Sequence, residues 1–442
     1  MMSISGLVNL LKYFLRNNNL ANAITGVLVI KVISALFSLI LGLLLGRLLG
    51  ASLSGVFYLT VTLITILSTL CRLGMDHALV KVIARYKQRQ KIVEMKYISS
   101  LSLTLGFICS LVFAVIFYNT SSMIAVDLFN DKLLISAFQY ASLALIPMTL
   151  MSIQMFCLQG VEKTRKSLFL RDGLWVALSS VAVVLAYYSE YDYVVFYGYG
   201  LAYLISFVLA TLWWRGVVSG AKLKYLKGEA SRFISTSMPM LVTNLMTQVM
   251  LWGPLIILGI FSTTSDVGIF GLVARIAGLI SFILIAINAV IAPRISKLYS
   301  IGKIEDLVKM IRNSARVNLL VTFPFATFFI IFPELILAFF GEEFKAGKNS
   351  MQLLCFAHLL NCFSGSVFFT LSMTKEHKAV SAISSVSVIS LIVFSFFLIP
   401  PFGLVGAAIA ASFVMLSHNL LGVITVYKKL GFNIIPTSFK FE

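Results

Sequence analysis

Charge is what this sequence has least of. Asp, Glu, Lys and Arg make up 12% of its 442 residues and hydrophobic residues 59%, whereas a soluble domain devotes about a quarter of its residues to charge. A water-soluble globular chain and a disordered one are both excluded. Acids are scarcer still, 17 against 35 cations, and none stands in the middle of a long apolar run. Cysteine is also sparse: Cys71, Cys109, Cys157, Cys355 and Cys362 lie in or at apolar runs, where small apolar packing is their usual part. Cys355 and Cys362 share a helix face by spacing, yet no metal-ligand pattern accompanies them, so no metal, redox centre or cofactor is expected. The four histidines, His77, His358, His377 and His418, are scattered and offer no catalytic set.

What is present is apolar sequence in long pieces. A bilayer core about 30 Å thick takes roughly 20 apolar residues per helix, and the chain supplies twelve such runs, beginning with 22–46 and ending with 404–427. This reads as an all-α polytopic membrane protein. The net charge of +18 would suit nucleic acid, but its placement decides otherwise. Basic residues gather in alternate connections: "ARYKQRQKIVEMK" (84–96), "VEKTRKS" (161–167), "RGVVSGAKLKYLK" (215–227), "PRISKLYSIGKIEDLVKMIR" (293–312), "MTKEHK" (373–378) and the tail after Tyr427. The connections between them carry only Lys132, Lys345 and Lys348. By the positive-inside rule the first set is cytoplasmic and both termini lie inside; no nucleic-acid partner is expected. The opening "SGLVNLLKYFLRNNN" (5–19) has no signal-peptide cleavage site. It reads either as a short amphipathic helix on the inner membrane surface or as a lead-in to the first span.

The two halves repeat. A shift of 213 positions sets "SGVFYL" (54–59) on "VGIFGL" (267–272), "KVIARY" (81–86) on "RISKLY" (294–299) and "LQGVEKTRKS" (158–167) on "LSMTKEHKAV" (371–380). The identities are weak, but the matches keep their order along the chain, which favours a repeat over the shared composition of any two polytopic segments. Six spans per half give the halves one orientation, hence two six-helix lobes related by a pseudo-twofold axis along the membrane normal, with a central site between them. The expected organisation is a lead-in (1–21), an N-lobe (22–215), a cytoplasmic linker (216–232), a C-lobe (233–427) and a cytoplasmic tail (428–442).

Polar stripes mark the faces that meet. A charge deep in a membrane helix costs a few kcal/mol and faces a cavity or partner rather than lipid. In the first span Lys31, Ser34, Ser38, Gly42 and Gly46 follow at steps of three or four and share one side. In the second, Tyr58, Thr62, Thr65, Thr69, Arg72 and Asp76 do the same; Arg72 and Asp76, one turn apart, read equally well as a structural ion pair. The seventh span carries Ser237, Asn244 and Gln248; the eighth carries Gly271, Ala274, Arg275, Gly278, Ser281, Asn288 and Ala292. The shift of 213 relates Lys31 to Asn244 and Thr62 to Arg275. One shared cationic cavity without a central carboxylate follows, suited to an anion such as pyrophosphate, because Arg and Lys form charge-assisted hydrogen bonds that strengthen as water is excluded.

The run "LLLGRLLGASLSGVFYL" (43–59) followed by "RLGMDHALVKVIARY" (72–86) resembles the opening of polysaccharide flippases of the multidrug/oligosaccharidyl-lipid/polysaccharide exporter superfamily. "VGIFGLVARIAGLI", "IAPRISKLYSIGKIEDL", "FFGEEFKAGKNSMQLL" (339–354) and "PPFGLVGAAIAASF" (400–413) are similar as well. The resemblance implies a bacterial inner-membrane flippase of undecaprenyl-pyrophosphate-linked O-antigen or capsule units, working by alternating access. In it Lys31, Arg275 and Arg72 would hold the pyrophosphate, and Asn244 and Gln248, with Thr62 and Asn288 on the same faces, would serve the headgroup or sugars. Its partners would be the lipid-linked oligosaccharide, the surrounding inner-membrane lipids and polysaccharide polymerase machinery. Lipid II flippases of the superfamily carry two further spans, absent here. The drug-extruding branch relies on a membrane-embedded carboxylate for cation coupling, and no mid-span acid is read here. A cation-coupled exporter would use His358 as proton carrier, and a membrane polymerase or ligase would need catalytic groups on loops that are very short here. Tyr187 to Tyr203 read as an interfacial aromatic belt.

Overall fold

A computed structural model describes residues 18–189, 191, 193–222, 224, 226–374 and 376–434. The lead-in before residue 18, the tail beyond 434, and Glu190 and Asp192 lie outside the described residues. The first half runs through α1 (Asn18–Leu44), a π-helical turn (Leu45–Leu49), α2 (Gly50–Cys71), α3 (Met75–Gln88), α4 (Ile92–Met123), α5 (Leu133–Ser142), α6 (Leu145–Gly160), α7 (Thr164–Leu168), a second π turn (Phe169–Leu174), α8 (Trp175–Ser189) and α9 (Val194–Arg215). The second half runs through α10 (Glu229–Phe261), α11 (Thr264–Gly278), α12 (Phe282–Ser300), α13 (Ile304–Ile331), α14 (Pro333–Ala338), α15 (Lys348–Ser364), α16 (Val367–Met373) and α17 (His377–Leu430). No strand occurs among the described residues. Apolar runs of this length have nowhere to place backbone N–H and C=O groups in a bilayer except within their own helices.

Eight helices are long and apolar enough to cross a membrane. Two of them, Val29–Cys71 (43 residues) and His377–Leu430 (54 residues), are about twice the length one crossing needs. Each contains a glycine with backbone closed to most side chains, Gly50 at φ 77° and Gly403 at φ 49°, where the chain turns back. Counting these as two spans each, and the bent pairs Leu133–Ser142 with Leu145–Gly160 (49°) and Glu342–Ser364 with Val367–Met373 (41°) as one each, gives the twelve expected. Pro239 and Pro254 both lie inside the single helix α10, so they do not break the seventh span.

The element bounds follow the shift of 213. It carries the start of α4, Ile92, onto Glu305, one residue inside α13, and the end of α6, Gly160, onto Met373, the end of α16. The contact between halves repeats in the same way. α2 and α11 cross backbone to backbone: a Cβ on Gly55 would lie 1.7 Å from the Thr264 carbonyl oxygen, and one on Gly268 would lie 2.0 Å from that of Ala51. Gly55 maps onto Gly268 and Ala51 onto Thr264, so the two contacts are mates across a pseudo-twofold axis, the self-complementary arrangement of a twofold interface. Tyr58 and Gly271, again related by 213, pack on one another at the same crossing.

Candidate functional site

One end of the seam between halves is bridged by two charged side chains on backbone groups. The Arg47 guanidinium, on the first π turn, donates to the carbonyls of Phe339 (2.7 Å) and Ala338 (3.1 Å) at the C-terminal end of α14. Glu343 accepts from the Ala51 N–H (2.9 Å) in the first turn of α2. Each charge thus meets the helix end that favours it. The Thr264 hydroxyl reaches Ser52 (3.3 Å) and Asp131 (2.9 Å). At the other end, the Tyr86 hydroxyl donates to Glu229, and burial with that carboxylate beside it pushes the Tyr86 phenol up to about 12.

Between these ends Arg275 reaches from α11 into the first half. Its guanidinium lies 4.7 Å from the Tyr58 ring centroid, a cation–π contact, and among the described residues it makes no ion pair. Tyr58 opens an aromatic nest: Phe57 lies 6.0 Å from both Tyr58 and Tyr199, and Trp175 is stacked on Tyr203 at 5.4 Å. The belt expected over Tyr187–Tyr203 therefore divides. Tyr187, Tyr188 and Tyr191 are exposed, whereas Tyr199 and Tyr203 are buried, because α9 turns these two toward α8.

Two expected site cations have carboxylate partners. Lys31 Nζ lies 2.5 Å from Asp172 Oδ2, and Arg171 holds the same carboxylate through Nε (2.9 Å) and Nη2 (3.0 Å). The expectation of a centre without acids is corrected here. Asp172 stands on the π turn Phe169–Leu174 that opens the fifth span, with 25% of its side chain open, and meets Lys31 across the fold, a pairing that spacing along one helix does not show. Arg72 forms the structural pair with Asp76, Nε to Oδ1 at 2.6 Å and Nη2 to Oδ2 at 3.2 Å, and also donates to Ser68 and Thr69. Asn244 crosses from the second half to Asp76 Oδ2 at 3.3 Å.

The remaining expected residues scatter along the same seam. Gln248 is half-buried on α10. Thr62 and Asn288 are buried, and Thr62 Oγ1 and Asn288 Oδ1 have no hydrogen-bond partner among the described residues. Arg316, which none of the polar stripes included, is buried in α13 with Nη1 on Asn313 Oδ1 at 2.7 Å. His358 is held by the Ser281 hydroxyl at 2.8 Å. Among the described residues, Lys31 and Arg171 share Asp172, Arg72 pairs with Asp76, and Arg275 has no ion-pair partner. Two positive charges are left over, which suits an anion.

The family model described as "Polysaccharide biosynthesis protein" matches residues 20–299, well over half of the chain. The chain belongs to the polysaccharide biosynthesis protein family. A second model, MatE, matches residues 239–397, consistent with the multidrug/oligosaccharidyl-lipid/polysaccharide exporter superfamily. The chain is 24% identical over 190 residues to a "Probable low-salt glycan biosynthesis flippase" of Haloferax volcanii, covering 41% of this chain and 40% of that one. It is 22% identical over 260 residues to a "Capsular polysaccharide biosynthesis protein" of Staphylococcus aureus, covering 57% of this chain and 65% of that one. The chain thus spans less than two thirds of the length of these curated relatives. A solved structure titled "Lipid II flippase MurJ, inward closed conformation" shares the fold at a TM-score of 0.76 and 13% identity, over 90% of this chain and 86% of that one. An inward-facing multidrug transporter of the same superfamily does so at 0.73 and 15%, over 90% and 95%. The family member is accordingly a multi-pass membrane protein with the twelve-helix transporter fold.

Proposed function

We propose that this protein is a transporter rather than an enzyme, and that it flips undecaprenyl-pyrophosphate-linked oligosaccharide units across a bacterial inner membrane by alternating access. The observation that carries the reading is Arg275: a cation without an ion-pair partner among the described residues, at the contact between halves, above the ring of Tyr58. The lobes, 22–215 and 233–427 joined by 216–232, rock about the α2–α11 crossing, and the headgroup lies between them beside Arg275 and Lys31, with Asn244, Gln248, Thr62 and Asn288 along the seam.

A break in the repeat supports a path for the lipid tail. α10 packs along α2 and α3, but its mate α1 touches α11 and α12 only sparsely. The exposed surface of α1 is apolar, with Val29, Val32, Leu36 and Ile40 open. A polyprenyl chain could stay in lipid along that face while its headgroup enters.

Deleting the gene should block display of a surface polysaccharide and leave its lipid-linked unit on the inner leaflet. Normal polysaccharide with raised sensitivity to cationic drugs would instead favour drug export. In a complemented deletion strain, Arg275→Gln should lose one charge-assisted hydrogen bond worth about 1.5–3 kcal/mol, a drop of roughly ten- to hundredfold in transport. Arg275→Lys should retain part of the activity, yet less than Lys31→Arg does, since Lys cannot engage phosphate bidentately. Full display with Arg275→Gln at normal membrane abundance would remove the anion site from this position.

The orientation rests on the loop charges, which put both termini in the cytoplasm. Single cysteines at Ser265 and Ser300 test it by labelling in intact cells. Ser265→Cys should react with an impermeant reagent and Ser300→Cys should not; the reverse pattern would invert the assignment.

A further inference from the structure

Lys31 lies in a small built site that neither the repeat nor the interface between halves requires. It faces the second π turn, Phe169–Leu174, a wide helical turn of the kind frequent at functional sites. That turn sets Arg171 and Asp172 side by side, and Gly173 beside them lets α1 approach: a Cβ there would lie 3.3 Å from Ser34 Oγ. Ser34, one turn along α1 from Lys31, is 6% exposed, and its hydroxyl has no hydrogen-bond partner among the described residues. Lys31 and Asp172 keep 23% and 25% of their side-chain surface open, so a solute can reach them.

The donors are thus a Lys ammonium and an Arg guanidinium on one carboxylate, with an unused hydroxyl one turn along α1 beside Gly173. A phosphate takes the same donors with more oxygens and more charge. We propose that Asp172 is a displaceable counter-anion: its carboxylate holds Lys31 and Arg171 in the empty protein, a pyrophosphate headgroup takes its place with Ser34 as an added donor, and Asp172 reclaims the cations as the headgroup leaves. Without such a competitor, two bare cations would bind the headgroup too firmly to release it, and transport needs binding weak enough to leave. The inference rests on the flippase reading and adds a residue that sets the release step.

Farnesyl pyrophosphate, a short soluble polyprenyl pyrophosphate, is the probe, titrated calorimetrically into the purified full chain. Asp172→Asn removes a like charge from beside the bound phosphate and should tighten binding about tenfold. In cells the same variant should display less surface polysaccharide at normal abundance, because release is slowed. Asp172→Glu keeps the carboxylate and should stay within about twofold of the parent in affinity. Should Asp172→Asn fail to reach the membrane, the glutamate variant decides, and a larger change in its affinity would overturn the proposal. Equal or weaker binding by folded Asp172→Asn, where the parent binds, overturns this inference and leaves the flippase reading standing. Absence of binding by both overturns the two together, whereas binding by Asp172→Asn alone supports the competitor role.

Discussion

Asp76→Ala should destabilise the protein by about 3–5 kcal/mol, the cost of leaving a buried charge without its partner. Arg72 and Asp76 are each only 8% exposed at the side chain. The guanidinium is satisfied on every side, by both carboxylate oxygens and by the hydroxyls of Ser68 and Thr69. Removing the carboxylate strands it at the end of α2, where Cys71 and Met75 are also buried. It also removes the acceptor that Asn244 uses from the other half, so the loss reaches the contact between halves. Asp76→Asn keeps an acceptor and should lose less. The double change Arg72→Met with Asp76→Leu replaces the pair by apolar groups and should recover most of the stability. Thermal unfolding of the purified variants, with the double-mutant cycle completed, reads the coupling. A loss under about 1 kcal/mol for Asp76→Ala would mean that the pair is solvated rather than structural.

Gly55→Val and Gly268→Val should each prevent the halves from closing at the α2–α11 crossing. The offending atoms are backbone, so no rotamer of a neighbour relieves a Cβ placed 1.7 Å from the Thr264 carbonyl oxygen or 2.0 Å from that of Ala51. α2 and α11 would have to part, drawing apart the Arg47, Glu343 and Thr264 contacts on the same side. Overpacking within a core costs about 1–3 kcal/mol, and a backbone clash lies at the upper end or beyond. Because the crossing is symmetric, the two substitutions should behave alike. A third variant, Gly278→Val, separates this from a general intolerance of glycine replacement, since nothing lies within 4 Å of a Cβ there; it should be well tolerated. The measurement is crosslinking between cysteines at Ser52 and Thr264, compared with surface-polysaccharide display. Retained crosslinking and display in Gly55→Val would show that the crossing is not needed for closure.

Much of this architecture was already legible in the chain. Span length and span number depend on local composition, and the repeat at 213 on short matches kept in order along the chain; a bilayer leaves a run of about 20 apolar residues little choice but a helix. The Arg72–Asp76 alternative was legible for the same reason: residues four apart on one helix meet whatever the rest of the fold does. Helix faces followed from spacing, so Lys31, Asn244 and Arg275 were assigned to polar sides. Which residue each of those sides would meet was not encoded locally. Lys31 and Asp172 stand 141 positions apart and Asn244 and Asp76 stand 168 apart, and only the packing of α1 on the π turn and of α10 on α3 brings them together. The same holds for Tyr199 and Tyr203, whose burial depends on how α9 is rotated against α8. The repeat in the sequence made two equivalent seams; the fold packed α10 tightly and left α1 open, because side chains in contact at one seam, not the shared pattern, decide where helices close.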